Sequence, residues 1–350
     1  MKRKYIDNVS NTKIIYAMSI QQNNSNVPVL NSLRAFAAIS VCLFHFVYTT
    51  TDFIHTTWIL NIFSVGKYGV QMFFVISGFI IPWSMYQAKF EIRHFFKFAL
   101  KRFLRLEPPY IASIFIAIVI FLGRDYFLNL NNFKTEVTSP RILLHFGYLI
   151  PFFENYNWFN KVYWTLAIEF QYYFFIALLF VPLINSNLLL RIIIGISVIA
   201  LSFIGQGDFL PYWLPVFYIG ITVFMFKGNK SITQYEFWIT LFLLVFFCIY
   251  KYAFASVVYM IIPVIAIVFF NQYKIPVLNF FGKISYSIYI IGGTIGGTCV
   301  NILAHSNKTD LGKFFVIIAG LTITLISAHI SYFLIEKPSK KIASSIKYKK

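Results

Sequence analysis

The sequence predicts an all-α membrane protein that crosses the bilayer about ten times. Its 350 residues are 59% hydrophobic and only 12% charged, a balance that excludes an ordinary soluble domain. The apolar stretches are continuous rather than alternating, which favours helices over a β-barrel. Phe (42 residues) and Tyr (23 residues) are abundant, as expected for helices with interfacial aromatic belts.

Ten apolar stretches are the expected spans, because a helix of about 20 apolar residues crosses the bilayer core. They lie at residues 33–50, 66–87, 107–123, 163–184, 189–205, 211–227, 236–250, 254–270, 276–303 and 312–335. The stretch 142–153 is apolar but too short to cross, so we expect a re-entrant or surface segment there.

Two polar tails flank a single transmembrane domain, which we assign to residues 33–338. Residues 1–32 have a basic start and lack the apolar core of a signal peptide, and residues 339–350 are basic. With both tails inside, 22 of the 30 Lys and Arg residues fall on the cytoplasmic side and 8 on the outer side. Positive charge concentrates on the cytoplasmic side of membrane proteins, so the sequence predicts that both termini are cytoplasmic.

The composition also bears on partners. The formal net charge of +18 is explained by topology and by binding of anionic lipid or an anionic substrate, and no module for DNA or RNA recognition is visible. The three cysteines and six histidines show no metal-ligand spacing, so we expect no metal site. The lipid bilayer is the expected partner, and nucleic acid is not.

The first span contains two ionisable residues on one face. Arg34 and His45 are eleven residues apart, which is about 1100° of rotation and about 16 Å of rise in an α-helix. Arg34 is therefore expected at the cytoplasmic end and His45 about 8 Å below the outer surface. An ionisable group at that depth is costly and usually functional. The alternative is a structural histidine bonded to a neighbouring helix.

Glu169 lies inside the fourth span, six residues from its expected outer end. That spacing places it about 9 Å below the outer surface, a depth similar to that of His45. A carboxylate holds an imidazole in the tautomer that a general base needs. We therefore expect His45 and Glu169 to form a catalytic pair, with a structural ion pair or a Glu–Tyr hydrogen bond as the alternative.

The expected inner loop 88–106 is strongly basic, with apolar residues interleaved, so it predicts an amphipathic helix on the membrane surface. Arg102 and Arg105 are three residues apart and face the same way on a helix. Two guanidinium groups on one face suit a phosphate or pyrophosphate, although positive-inside charge and lipid contact explain the same residues. In the second span, Ser77 lies beside small residues, which indicates helix packing or a hydrogen bond across helices.

Six segments follow one another along residues 31–338. They read LRAFAAISVCLFHF, GVQMFFVISGFII, KRFLRLEPPY, YWTLAIEFQYY, FGKISYSIYI and FLIEKP. In this order they resemble the motifs of the acyltransferase 3 family of integral membrane acyltransferases. Each segment is moderately specific, and the six together cover nearly the whole chain.

The resemblance implies an enzyme of the bacterial cytoplasmic (inner) membrane. It would move an acyl group, usually acetyl, from cytoplasmic acyl-CoA to a hydroxyl of a surface polysaccharide, a lipid-linked glycan or another glycoside. By this resemblance His45 is the catalytic base or a transient acyl carrier, and Glu169 supports it. The residues expected to bind the phosphates of coenzyme A are Arg34, Lys101, Arg102 and Arg105. Donors to the tetrahedral oxyanion remain open among Ser77, Trp164 and Tyr173.

One departure from the family is visible. The family often places a histidine shortly after its SYS-x-Y segment, where this chain has Gly292, and His329 is expected near the inner side. A proton-coupled transporter or flippase is the alternative function, because ten spans and an intramembrane His–Glu pair suit one too. The paired arginines and the ordered motifs favour the acyltransferase. Acceptor specificity is expected in the outer segments 51–65 and 124–162.

Overall fold

The computed structural model describes residues 27–48, 53–129, 133–185, 187–305 and 309–348. Within these ranges the chain forms helices and turns and no β-strand. Eight helices are long and apolar enough to cross a membrane, and two shorter apolar helices bring the set to ten. The ten are α1 Val29–Tyr48, α2 Thr57–Gln87, α3 Ile92–Phe127, α4 Tyr163–Asn185, α5 Leu188–Ile204, α6 Leu210–Gly228, α7 Gln234–Lys251, α8 Phe254–Phe269, α9 Ser285–Ala304 and α10 Asp310–Ser345. The all-α polytopic fold class is confirmed.

The segment 88–106 is not the separate surface loop that the sequence suggested. A single α-helix runs from Phe95 to Leu128, so the basic residues occupy the first turns of α3. Pro108 and Pro109 remove two backbone donors inside this helix. Here the helix continues through both prolines, and the arginines therefore belong to the wall of the bundle.

The two ends of the transmembrane domain also differ from expectation. Helix α1 begins at Val29 rather than at residue 33, and residues 1–26 of the predicted tail lie outside the described residues. At the other end, α10 continues through a π-helical turn, Tyr332–Glu336, into a further helical segment, Lys337–Ser345. Pro338 stands in the first turn of that segment. Residues 339–345 are therefore helix and not a free tail.

The described part of the stretch between α3 and α4 contains only short helices, the first of which is Phe133–Glu136. Ser139–Phe146 forms an eight-residue α-helix, and Ile150–Phe152 forms one 3₁₀ turn. Eight residues rise only about 12 Å, which is far less than the bilayer core. The stretch 142–153 therefore contains no helix that could cross the membrane.

Glycines set the register of the helices around α1. Gly69 of α2 lies against the backbone of Ala37 and the side chain of Val41, where no larger residue fits. Gly282, at the end of the short helix Pro276–Lys283, lies against Asn31, and Gly292 lies against Cys42. Small residues let helices approach closely in membranes. These contacts make α2 antiparallel and α9 parallel to α1.

Candidate active site

A cavity of about 470 Å³ enters the bundle from the end where α1 begins and α10 ends. Six basic side chains and two carboxylates line it. They are Arg34, Lys101, Arg102, Arg105, Lys283 and Lys340, with Glu169 and Glu336. We call it the basic cavity, and the end of the bundle where it opens the basic end. The four basic residues expected to bind phosphate thus line the same cavity, although they come from two helices.

Arg102 is the best-fixed of these cations. Its side chain is buried, and Nη2 donates a hydrogen bond to Ser84 Oγ over 2.7 Å. The guanidinium group lies 5.3 Å from the ring centre of Phe98 and 5.5 Å from that of Tyr173. Its Nε is buried with no hydrogen-bond partner in the described part of the chain. Arg102 also lines the basic cavity, so its remaining guanidinium N–H donors can face an anion there.

Arg34 and Arg105 complete the cationic wall. Both line the basic cavity, and the charges of Arg105 and Glu169 act on Arg34. The described residues give neither guanidinium group a hydrogen bond. Each group therefore has N–H donors available toward the cavity, in the planar arrangement that matches phosphate oxygens.

Three of the predicted site residues, Ser77, Glu169 and Tyr173, meet deep in the cavity. Glu169 Oε1 accepts hydrogen bonds from Tyr173 OH over 2.6 Å and from Ser77 Oγ over 3.1 Å. Glu169 is thus a fixed acceptor beside the arginines rather than a partner of the imidazole. The sequence analysis considered a Glu–Tyr hydrogen bond as an alternative, and the structure contains one.

The innermost part of the cavity ends at a pair of hydroxyl groups. Thr165 Oγ1 and Tyr289 OH are 2.8 Å apart, and the Tyr289 ring packs edge-on against Phe73 with centres 5.3 Å apart. All three residues line the cavity. Trp164 was one of the three residues considered as an oxyanion donor. Its ring packs against Phe74 and Trp213, and it does not belong to the described wall of the cavity.

His45 lies in the last turn of α1, outside the basic cavity as the described residues define it. Its ring is half-buried and packs against Phe44 with centres 5.2 Å apart. The positive charge of Lys161, which precedes α4, lies close to it. His45 and Arg34 are therefore at opposite ends of α1, as their spacing predicted.

The structure does not bring His45 and Glu169 together. Gly69 packs between Ala37 and Val41, so His45 lies about 9 Å from that level toward one end of the bundle. Ser77, which hydrogen-bonds Glu169, lies about 12 Å from it toward the basic end. The two site residues are thus offset by about 20 Å along the helix axes.

The predicted pairing fails because helices α1 and α4 end at different depths. Both residues were placed by counting from the outer ends of their helices, as if those ends were level. Asn160, just before α4, donates to the carbonyl of Ile290 over 2.9 Å, close to the level where Gly292 meets Cys42. Helix α1 continues beyond that level to Tyr48. The outer end of α4 therefore lies deeper in the bundle than the outer end of α1, and Glu169 is correspondingly deeper than His45.

Several residues of the cavity wall were not predicted from the sequence. Those with polar side chains are Ser84, Thr165, Lys283, Ser285, Tyr286, Tyr289, Glu336, Lys340, Ser344 and Tyr348. A signal for two of them was present, because Glu336 and Lys340 are four residues apart on one helix, and they form a salt bridge of 2.5 Å. Tyr286 belongs to the SYSIY segment that carried the resemblance.

Gly292 leaves no space for the histidine that the resemblance led us to expect near this position. A side chain at this position would collide with Cys42 Sγ. His329 lies between Phe280 and Phe333 near the basic end, as expected, and it is outside the described wall of the basic cavity. Among the described residues, no group of three or more His, Cys, Asp or Glu side chains could hold a metal ion.

Comparison with known proteins identifies related sequences. Residues 27–333 match the acyltransferase domain family known as acyltransferase 3. A protein of Acidianus two-tailed virus, named as an acetyltransferase, is 27% identical over 75% of this chain and 81% of its own length. The peptidoglycan O-acetyltransferase OatA of Listeria monocytogenes is 26% identical over 55% of this chain.

A protein of Staphylococcus aureus strain COL, named as an O-acetyltransferase, is 26% identical over 90% of this chain. The matched region spans 57% of that protein and 29% of OatA, so both relatives are considerably longer than the part they share with this chain. No solved structure matches the chain.

Proposed function

The chain belongs to the acyltransferase 3 family, and from this premise we propose that it transfers an acetyl group from acetyl-CoA to a hydroxyl of a glycan. Family membership and the named relatives support a membrane O-acetyltransferase. The donor, the acceptor and the roles of individual residues are the proposal.

The basic cavity supports acyl-CoA as the donor. Coenzyme A carries a pyrophosphate and a 3′-phosphate, and the cavity presents six cations against two carboxylates. The observation that carries the proposal is the group of three arginines, Arg34, Arg102 and Arg105, that line one cavity. A phosphate oxygen would accept from this group, and charge-assisted hydrogen bonds of this kind are the strong ones.

The reaction forms an ester bond between the acyl carbon and the acceptor oxygen and breaks the thioester C–S bond. The hydroxyl proton leaves as the new bond forms, and the thiolate of coenzyme A takes up a proton. We assign removal of the hydroxyl proton to His45, and the alternative role is a transient acyl carrier. Glu169, held by Tyr173 and Ser77, would order the donor side of the site.

His45 and Glu169 are offset by about 20 Å, so the proposed base and the carboxylate on the donor side lie at different depths. In the proposed arrangement, the phosphates remain near Arg102 and the acyl end of the donor points inward past Glu169. The described cavity ends at Thr165 and Tyr289. These two hydroxyl groups would therefore part before the acyl group reaches His45.

We place the basic end in the cytoplasm and His45 near the outer surface of a bacterial cytoplasmic membrane. Acyl-CoA is a cytoplasmic metabolite too large and too charged to cross lipid, and the positive-inside rule favours the same orientation. The acceptor would then approach the outer segment around Lys161. A glycan acceptor is favoured because OatA is named for acetylating peptidoglycan.

The test uses the full chain purified into nanodiscs with radiolabelled acetyl-CoA and a mixed extract of surface glycans. We expect label to enter glycan with the wild type and not with His45→Ala. Arg102→Ala should raise the KM for acetyl-CoA about 10-fold to 100-fold, the equivalent of one charge-assisted hydrogen bond.

Arg93→Ala is the matched control, because Arg93 is 64% exposed, pairs with Glu91 and lies outside the described cavity wall. Equal KM values for the Arg102→Ala and Arg93→Ala proteins would remove the donor assignment. Full glycan labelling by the His45→Ala protein would remove the assignment of the base, and acyl-enzyme trapped on wild type would favour the carrier role.

A further inference from the structure

The basic cavity includes residues beyond the part of the chain that matches the family. The match ends at residue 333, but the cavity wall continues through Lys340, Ala343, Ser344 and Tyr348. The helical segment Lys337–Ser345 packs against α3, with Ser339 and Ala343 buried. This C-terminal wall therefore faces the arginines of α3 across the mouth of the cavity.

Lys340 is fixed in this wall by a buried carboxylate. Its Nζ is 2.5 Å from Glu336 Oε1, and Glu336 is 1% exposed. Ser287 Oγ donates to the other oxygen, Oε2, over 2.5 Å. Lys340 Nζ also donates to the carbonyl of Lys283 over 3.3 Å. The ammonium group is thus held at the cavity with a third of the side chain still exposed.

Tyr348 adds an aromatic ring to the same mouth. The ring stacks on His94 with centres 4.9 Å apart and an angle of 11° between the planes. The ammonium group of Lys101 lies 5.8 Å from the Tyr348 ring centre. His94 is itself fixed, because its Nδ1 accepts the backbone N–H of Glu91 over 3.1 Å. The mouth therefore combines a supported aromatic ring with ammonium groups.

We propose that Lys340 and Tyr348 form a nucleotide subsite, in which Tyr348 contacts the purine base and Lys340 a phosphate of the donor. A flat aromatic ring beside cations is the arrangement that binds a base together with its phosphates. The inference rests on the proposed function, since it presumes a coenzyme A ester as the donor. It goes further by giving the base-binding role to a segment outside the family match.

The test is calorimetric titration of the full chain in nanodiscs with three ligands: coenzyme A, adenosine 3′,5′-bisphosphate and 4′-phosphopantetheine, which lacks the base. Tyr348→Ala should weaken binding of the first two about tenfold, the size of one base-stacking contact. It should leave 4′-phosphopantetheine unchanged, and Tyr348→Phe should bind all three as wild type does. Tyr235→Ala is the control, because Tyr235 is 83% exposed and outside the described wall.

Lys340→Met should weaken coenzyme A binding and Lys340→Arg should restore it, whereas Lys341→Met, one residue along, should have no effect. Thermal unfolding of each variant shows that it is folded. The inference is overturned if Tyr348→Ala binds coenzyme A like Tyr235→Ala, or loses all three ligands equally. Wild type that binds none of them would instead overturn the donor assignment itself.

Discussion

The offset between His45 and Glu169 predicts that the two residues contribute independently to the free energy of unfolding. Two unit charges interact with about 4 kcal/mol at 4 Å and an effective dielectric constant of 20, and with about 0.8 kcal/mol at 20 Å. Mutations at sites so far apart usually add within about 0.5 kcal/mol.

The assay is a double-mutant cycle. The free energy of unfolding is measured by denaturant titration in mild detergent for wild type, His45→Ala, Glu169→Gln and the double variant. We expect a coupling free energy below about 0.5 kcal/mol. The internal reference is the cycle of Glu169→Gln with Tyr173→Phe, whose partners are 2.6 Å apart, and it should give about 1–3 kcal/mol.

A coupling above 1 kcal/mol between His45 and Glu169, similar to that of the Glu169–Tyr173 reference, would refute this reasoning. It would mean that the two side chains meet in the membrane and that the register deduced from Gly69 is wrong. Coupling of the reference pair alone would confirm that Glu169 is held by Tyr173 and not by His45.

Two further perturbations test the packing and the outer segment. Gly292→Ala should lower the midpoint of thermal unfolding, because the new Cβ collides with Cys42 at a cost of about 1–3 kcal/mol; Cys42→Ala should restore it, and an unchanged midpoint would contradict the close contact. His145, which stacks on Phe159 and accepts its backbone N–H over 3.0 Å, should make stability fall on acidification. Burial lowers the pKa of His145 from 6.5 to about 4, so the unfolded chain binds the extra proton, and stability is complete above pH 6.5 and is lost progressively toward pH 4. Unfolding at pH 7 and pH 5 should show this loss in wild type and not in His145→Gln, and equal slopes would contradict it.

The fold class could be predicted from the sequence because the protein lies in a membrane. A chain in lipid must satisfy its backbone groups within each span, so continuous apolar stretches indicate helices with little ambiguity. The two shortest of the ten, α5 and α8, still correspond to expected spans. The charges of Arg34, Arg102 and Arg105 were also expected to serve one anion, and all three line one cavity.

Depth and long-range contacts were not predictable in the same way. Hydropathy gives the length of a helix but not the level at which it starts, and this explains the mistaken pairing of His45 with Glu169. The basic segment 88–106 was expected to lie apart from the third span, but one helix joins them. Tyr348 reaches its place on His94 across more than 250 residues of sequence, and no local pattern indicates such a contact.

The hydrogen-bonded pair of Thr165 and Tyr289 affects how well the membrane blocks ions at this protein. A polar cavity that enters from one face shortens the apolar barrier that ions must cross. At this pair the described cavity ends, and the remaining path toward His45 is only about 10 Å. If the pair parts to let the acyl group through, the occupant of the cavity must itself block protons and small cations. Thr165→Ala with Tyr289→Ala, which removes the bulk of both side chains, should therefore make vesicles that contain the protein leak protons when the donor is absent, and added coenzyme A should stop the leak.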